Sequence, residues 1–138
     1  MPTVVILPRK NRSPFQLYLI GLITISGIGL MMGLSDNPIN KAMGPYSIAW
    51  GGFLFIGGFF NLLGIYWPKN PVTGMLIERS GLVALGGASL LWSVLIVWKV
   101  QLTGLFSATL TFALFLACLA QWRWINKNVS EIMKVING

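Results

Sequence analysis

The sequence predicts an all-α integral membrane protein: an antiparallel four-transmembrane-helix bundle followed by an amphipathic C-terminal helix. Three observations predict it. Of 138 residues, 55% are hydrophobic and 9% charged, which is more apolar surface than a soluble domain of this size can hide. The apolar residues fall into four runs, each near the roughly twenty residues needed to cross a hydrocarbon core. Lys and Arg gather between and beyond these runs on alternate sides. The length suffices for one membrane domain and no second soluble domain.

The elements follow in order. Residues 1–13 form a basic segment containing Arg9, Lys10 and Arg12. The apolar run after it is too long for a cleaved export signal and lacks a small-x-small site, so it reads as an uncleaved first span. The transmembrane domain covers 14–122, with spans at 15–34, 46–67, 77–98 and 102–122. Pro14, Pro45 and Pro68 sit at the edges of these runs, where a missing backbone N–H costs little or the helix is ending. Tyr46, Trp67, Trp98, Trp122 and Trp124 fall where interfacial aromatic belts belong. Residues 123–138 form the tail: Trp122, Ile125, Val129, Ile132 and Ile136 recur at intervals of 3, 4, 3 and 4, an amphipathic helix. The expected place of that helix is the membrane interface, basic edge on lipid phosphates; the alternative is pairing with the same seam in another subunit. Thr3 to Leu7, "TVVIL", suits an extended edge or an inserted apolar tail equally.

Arg9, Lys10 and Arg12 precede the first span, Lys69 and Arg79 accompany the second loop, and Arg123, Lys127 and Lys134 follow the fourth span. Only Lys41 and Lys99 lie on the other side. The positive-inside rule then places both termini in the cytoplasm. The net charge of +7 is spread singly or in threes between apolar runs, so anionic lipid headgroups are the expected partner and nucleic acid is not.

A shift of 60 positions lays Gly21, Leu22, Gly27 and Leu30 over Gly81, Leu82, Gly87 and Leu90, and Asn61 over Gln121. A duplication of this kind would give two hairpins repeated in parallel about the membrane normal.

Little in the chain suggests chemistry. There is no histidine, which removes Ser-His-Asp and Cys-His catalysis, and there is no phosphate-cradling loop or metal-ligand set. No cofactor and no enzymatic activity are expected. Cys118 stands alone in an apolar run and reads as a small packing residue. No ionisable residue is expected between the interfaces, which argues against a pump or coupled carrier. Small residues do recur at helical spacing: Gly29 with Gly33, the row Ser80, Ala84 and Ala88, then Gly104 with Ala108, and Ala113 with Ala117. Such rows let helices approach closely, within one bundle or between subunits. Gly57, Asn61 and Gly64 share a face, and the Asn61 amide is expected to bond across to a neighbouring helix for roughly 1 kcal/mol, the alternative being that it lines a water-filled lesion once subunits assemble. Glu78 and Arg79 are expected in the first turn of the third helix, as an interfacial anchor or as a pair making intersubunit or interhelix salt bridges that set a closed state.

The run "TGMLIERSGLVALGG", the later "GLFSATLTFALFLACLAQ" and the short basic tail resemble the small holin-like multi-span membrane proteins encoded by tailed phages of actinobacteria, often beside endolysin genes. The resemblance covers chiefly the chain from about Thr73 onward. It implies a protein that accumulates in the host cytoplasmic membrane, oligomerises, and opens lesions that release or activate a cell-wall hydrolase. It carries over no catalytic residues, and four spans exceed the one to three of familiar holins. Two other classes stand beside it: an accessory or structural subunit of a larger membrane complex, and a superinfection-immunity membrane protein.

Overall fold

The structure is a computed structural model and describes residues 13–34, 36–68 and 70–137. Arg9, Lys10, Arg12, Lys69 and the segment 3–7 lie outside the described residues. The elements are α1 (Pro14–Met31), the short α2 (Pro38–Met43), α3 (Pro45–Ile65), α4 (Pro71–Val100), a 3-10 turn (Gln101–Gly104) and α5 (Leu105–Asn137). All are helical. Three helical stretches are long and apolar enough to cross a membrane: Pro14–Met31, Pro45–Ile65 and Pro71–Val135. The third comprises α4 and α5, folded back on each other at the 3-10 turn.

Each of the first four helices starts at a proline, whose lost N–H would have had no intrahelical partner there. Asn37 and Asn70 cap α2 and α4, accepting from the Ile39 and Val72 amides at 3.1 and 3.0 Å. The Asn70–Pro71 pair starts the third long helix six residues before the expected Ile77. At the end of α1, Gly33 (φ +68°) lets the Leu34 amide reach Gly29 O at 3.0 Å and the Gly33 amide reach Leu30 O at 3.1 Å. That is a Schellman closure. Gly33 therefore ends the helix and does not form half of a packing pair with Gly29.

The long helices pack in chain order, α1 on α3, α3 on α4 and α4 on α5. Among the described residues no comparable packing joins α1 to α4 or α5. The expected bundle is thus an open row whose edges are α1 and α5. Neighbours run antiparallel. Gly27 abuts Gly51 and Phe55, Gly57 abuts Gly81 and Leu85, and Ser93 Oγ donates to Ala108 O at 2.9 Å. Glycines matched by the 60-residue shift do not share a role. An added Cβ would meet nothing at Gly21 but backbone at Gly81, and backbone at Gly27 but nothing at Gly87.

Two apolar clusters hold the row. One gathers Leu54, Leu82, Leu85, Cys118 and Ile125; the other gathers Met43, Trp92, Ile96 and Ala108. The helix α5 has 33 residues, about 50 Å at 1.5 Å per residue, against a hydrocarbon core of about 30 Å. It does not break at Trp122, where the apolar run ends. Ile125 is fully buried, with Met75 and Val129 packed around its cluster. The first half of the amphipathic seam therefore lies against the opening turns of α4, which departs from a tail helix laid on lipid.

Gln101 takes a left-handed φ of +54° at the α4–α5 turn, a region that favours glycine. Gln101→Gly is therefore expected to leave stability unchanged or raise it by up to about 1 kcal/mol. A thermal unfolding comparison checks this, and a clear loss of midpoint would show that the glutamine side chain secures the turn.

Candidate functional site

Polar groups converge where α3 ends. Gly64 in the last turn of α3 sits so close to α4 that a Cβ there would collide with the backbone of Glu78 and approach Gly74 O at 2.6 Å. One turn away, a Cβ on Gly81 would meet Gly57 O at 2.6 Å and Asn61 N at 2.7 Å. Gly57, Asn61 and Gly64 form one face of α3, and Gly74, Glu78 and Gly81 face them from α4. Without side chains between them, the two backbones come into near contact, and the flanking polar side chains are enclosed.

Glu78 is 0% exposed. It lies about two turns into α4, level with the end of α3, and not in the first turn expected from sequence. Gln121 of α5 donates Nε2–H to Glu78 Oε1 at 3.4 Å, long for an N–H···O bond. Arg79 turns the other way, its guanidinium 5.2 Å from the centroid of the Trp122 ring, a cation–π contact. Successive residues of α4 thus hold successive residues of α5, Glu78 with Gln121 and Arg79 with Trp122. Each member of the pair thus reaches α5, Glu78 through the Gln121 amide and Arg79 over the Trp122 indole.

Asn61 is also 0% exposed, and neither Oδ1 nor Nδ2 has a hydrogen-bond partner among the described residues. The cross-helix amide bond expected from sequence does not form. A buried amide left unpaired costs about 1–3 kcal/mol. Ser89, fully buried further along the same face of α4, likewise lacks a partner for Oγ.

The other predicted positions divide. Gly57, Ala88, Gly104 and Ala108 are buried in helix contacts, Gly104 beneath Ile96 and Val100. Ala84 is half-buried. Ser80, Ala113 and Ala117 are exposed, and Ser80 Oγ donates to its own helix at Ile77 O, 2.7 Å. Gly29 has open space where a Cβ would stand. Arg123, Lys127 and Lys134 are exposed on α5. Sequence reasoning missed the close contacts of Gly27 with Gly51, of Gly58 with Thr24, and of Gly64 with Gly74 and Glu78. The signal was present in the seven-residue spacing of Gly57 with Gly64 and of Gly74 with Gly81, which places each pair on one helix face.

Among the described residues no group of three or more Cys, Asp or Glu side chains is gathered to hold a metal ion. No protein family, curated protein or solved structure matches the chain.

Proposed function

We propose that this chain is a holin-like membrane protein that crosses a bacterial cytoplasmic membrane four times, through α1, α3, α4 and α5. Both termini lie in the cytoplasm. It accumulates as separate protomers and then assembles edge to edge into lesions that release or activate a cell-wall hydrolase. The open row carries this reading. A closed bundle would cover its own edges, but here α1 exposes Phe15, Leu22 and Ile25 and α5 exposes Phe106, Leu110 and Leu116. Between the large side chains of α5 lie Ala113 and Ala117, also exposed, which would let a helix of a second copy approach closely. The Lys and Arg distribution supports the orientation.

The same bare edges suit a subunit seated beside a larger membrane complex, and the two readings separate by experiment. The chain is expressed inducibly in a bacterial host, with and without a cytoplasmic endolysin lacking its own export signal. Abrupt depolarisation, with lysis only when the endolysin is present, is expected. An A117C variant is expected to cross-link to itself in the same membranes. Continued growth at an intact potential would sink the lesion reading, and an uncross-linked A117C in a growing host would favour the accessory subunit.

A further inference from the structure

Arg79 lacks an anion. Its side chain is half-buried, and among the described residues it pairs with no carboxylate and rests on the face of Trp122, 5.2 Å from the ring centroid. Contact with the indole holds the guanidinium in place without using its N–H donors. Arg123 follows Trp122 and is exposed, and Lys127, also exposed, stands one turn further along the same face of α5. The chain has three acidic residues, and among the described residues none reaches the two arginines. Asp36 is engaged by Lys41 at 3.2 Å, in the segment joining α1 to α3. Glu78 is enclosed and accepts from Gln121. Glu131 lies eight residues beyond Arg123, about 12 Å along α5.

The two arginines also mark a level. Residues 80–98 of α4 and 105–122 of α5 carry no charge, so Arg79 and Arg123 stand at the same end of two adjacent apolar stretches, joined there by the Arg79–Trp122 contact. With the chain crossing the membrane as proposed, on which this inference rests, that end is the inner lipid–water boundary, where tryptophans and cations belong. Lipid phosphates are the acceptors at that depth. We infer that Arg79 and Arg123, with Lys127 beside them, form a binding site for the phosphate of an anionic phospholipid, Trp122 being the platform that positions Arg79. A guanidinium can take a phosphate bidentately, through two parallel N–H···O bonds. The excess of cations selects a headgroup of net negative charge over a zwitterionic one, whose ammonium the same cluster repels.

The test uses the full chain purified in detergent micelles, unfolded thermally at fixed ionic strength while phosphatidylglycerol, phosphatidylcholine or inorganic phosphate is added. A ligand that binds only the folded state raises the midpoint by mass action. The expected result is a saturable rise of several degrees with phosphatidylglycerol and none with the other two. R79Q and R123Q should each move half-saturation to about tenfold higher lipid, as expected for losing a hydrogen-bonded contact to a charged group. K134Q removes the same charge eleven residues beyond Arg123 and should leave half-saturation in place. No rise with phosphatidylglycerol, or an equal rise with phosphatidylcholine or inorganic phosphate, would overturn the lipid site, as would equal effects of all three substitutions, which would mean diffuse surface charge. If R79Q does not fold, R79K takes its place: it keeps the charge and loses the planar fork, so a weakened dependence on phosphatidylglycerol supports the site and an unchanged one overturns it. Alkaline extraction of membranes holding the chain tests the crossing, and growth and membrane potential test the lesion, each separately from lipid binding.

Discussion

Gly81→Ala is expected to destabilise the protein by about 1–3 kcal/mol, the range for overpacking a close-fitted interior, while Gly87→Ala six residues along the same helix is neutral or mildly stabilising. The two substitutions add the same methyl group to α4 and gain the same helix propensity, up to about 1 kcal/mol. They differ in what the methyl meets. At Gly81 it meets Gly57 O, Asn61 N and Asn61 Cα at 2.6, 2.7 and 3.2 Å, and at Gly87 it meets nothing within 4 Å. The atoms opposing Gly81 are all backbone, so no side chain can rotate away and α3 must move off α4. That separation also loosens the enclosure of Glu78 and Asn61. Denaturation of the two variants in one detergent should give a midpoint for Gly81→Ala clearly below that of Gly87→Ala. Equal midpoints would mean that α3 and α4 do not pack through this glycine face.

The contrast also shows what was legible in the sequence. The apolar runs fixed the existence of α1 and α3 and the apolar parts of α4 and α5, because length and hydropathy alone decide whether a stretch suits a bilayer. The ends were less visible. The Asn70–Pro71 start is a local capping signal that lies outside the apolar run, and α5 continues past Arg123 because Ile125 and Val129 have α4 to pack on. Spacing identified small-residue rows without saying which served packing. Gly29 and Gly33 have the right interval, yet Gly33 takes a positive φ and closes the helix. Asn61 was recognisable as an interior amide from the apolar residues around it. The burial of Glu78 was not, since it depends on the register of three helices, set by Gly64 against α4 and Gln121 on α5.

The open row has a consequence for α4. It is the long helix packed on both α3 and α5, and its enclosed face runs from Glu78 through Leu82, Leu85, Ser89 and Trp92 to Ile96. Polar groups on that face are shielded by the neighbours, and any rearrangement that parts α5 from α4 would uncover Glu78 and Ser89 together. The edge helices lack such a face. Thr24 of α1 satisfies its hydroxyl on its own backbone, at Ile20 O, 2.8 Å.

At the opposite end of α4 from Glu78, Trp92→Ala is expected to cost about 3 kcal/mol, the low end of the range for losing a buried tryptophan. Trp92 is buried and stacked on Trp50 of α3 at 4.5 Å with parallel rings. Met43 of α2, Ile96 and Ala108 complete the cluster. In a membrane the unfolded reference is also apolar, so the transfer contribution shrinks and the lost packing and the cavity remain. That places the expected cost at the low end. The damage should also be local. α2 has six residues and packs chiefly on α3 and α4, and its buried anchor is Met43. Removing the indole should therefore speed amide hydrogen exchange across 39–43. The seam around Glu78 should exchange as in the wild type, because fourteen residues of helix, about 21 Å, separate the two sites. Unchanged exchange in α2, or equal acceleration at both ends of α4, would show that the stacked tryptophans do not hold α2 in place.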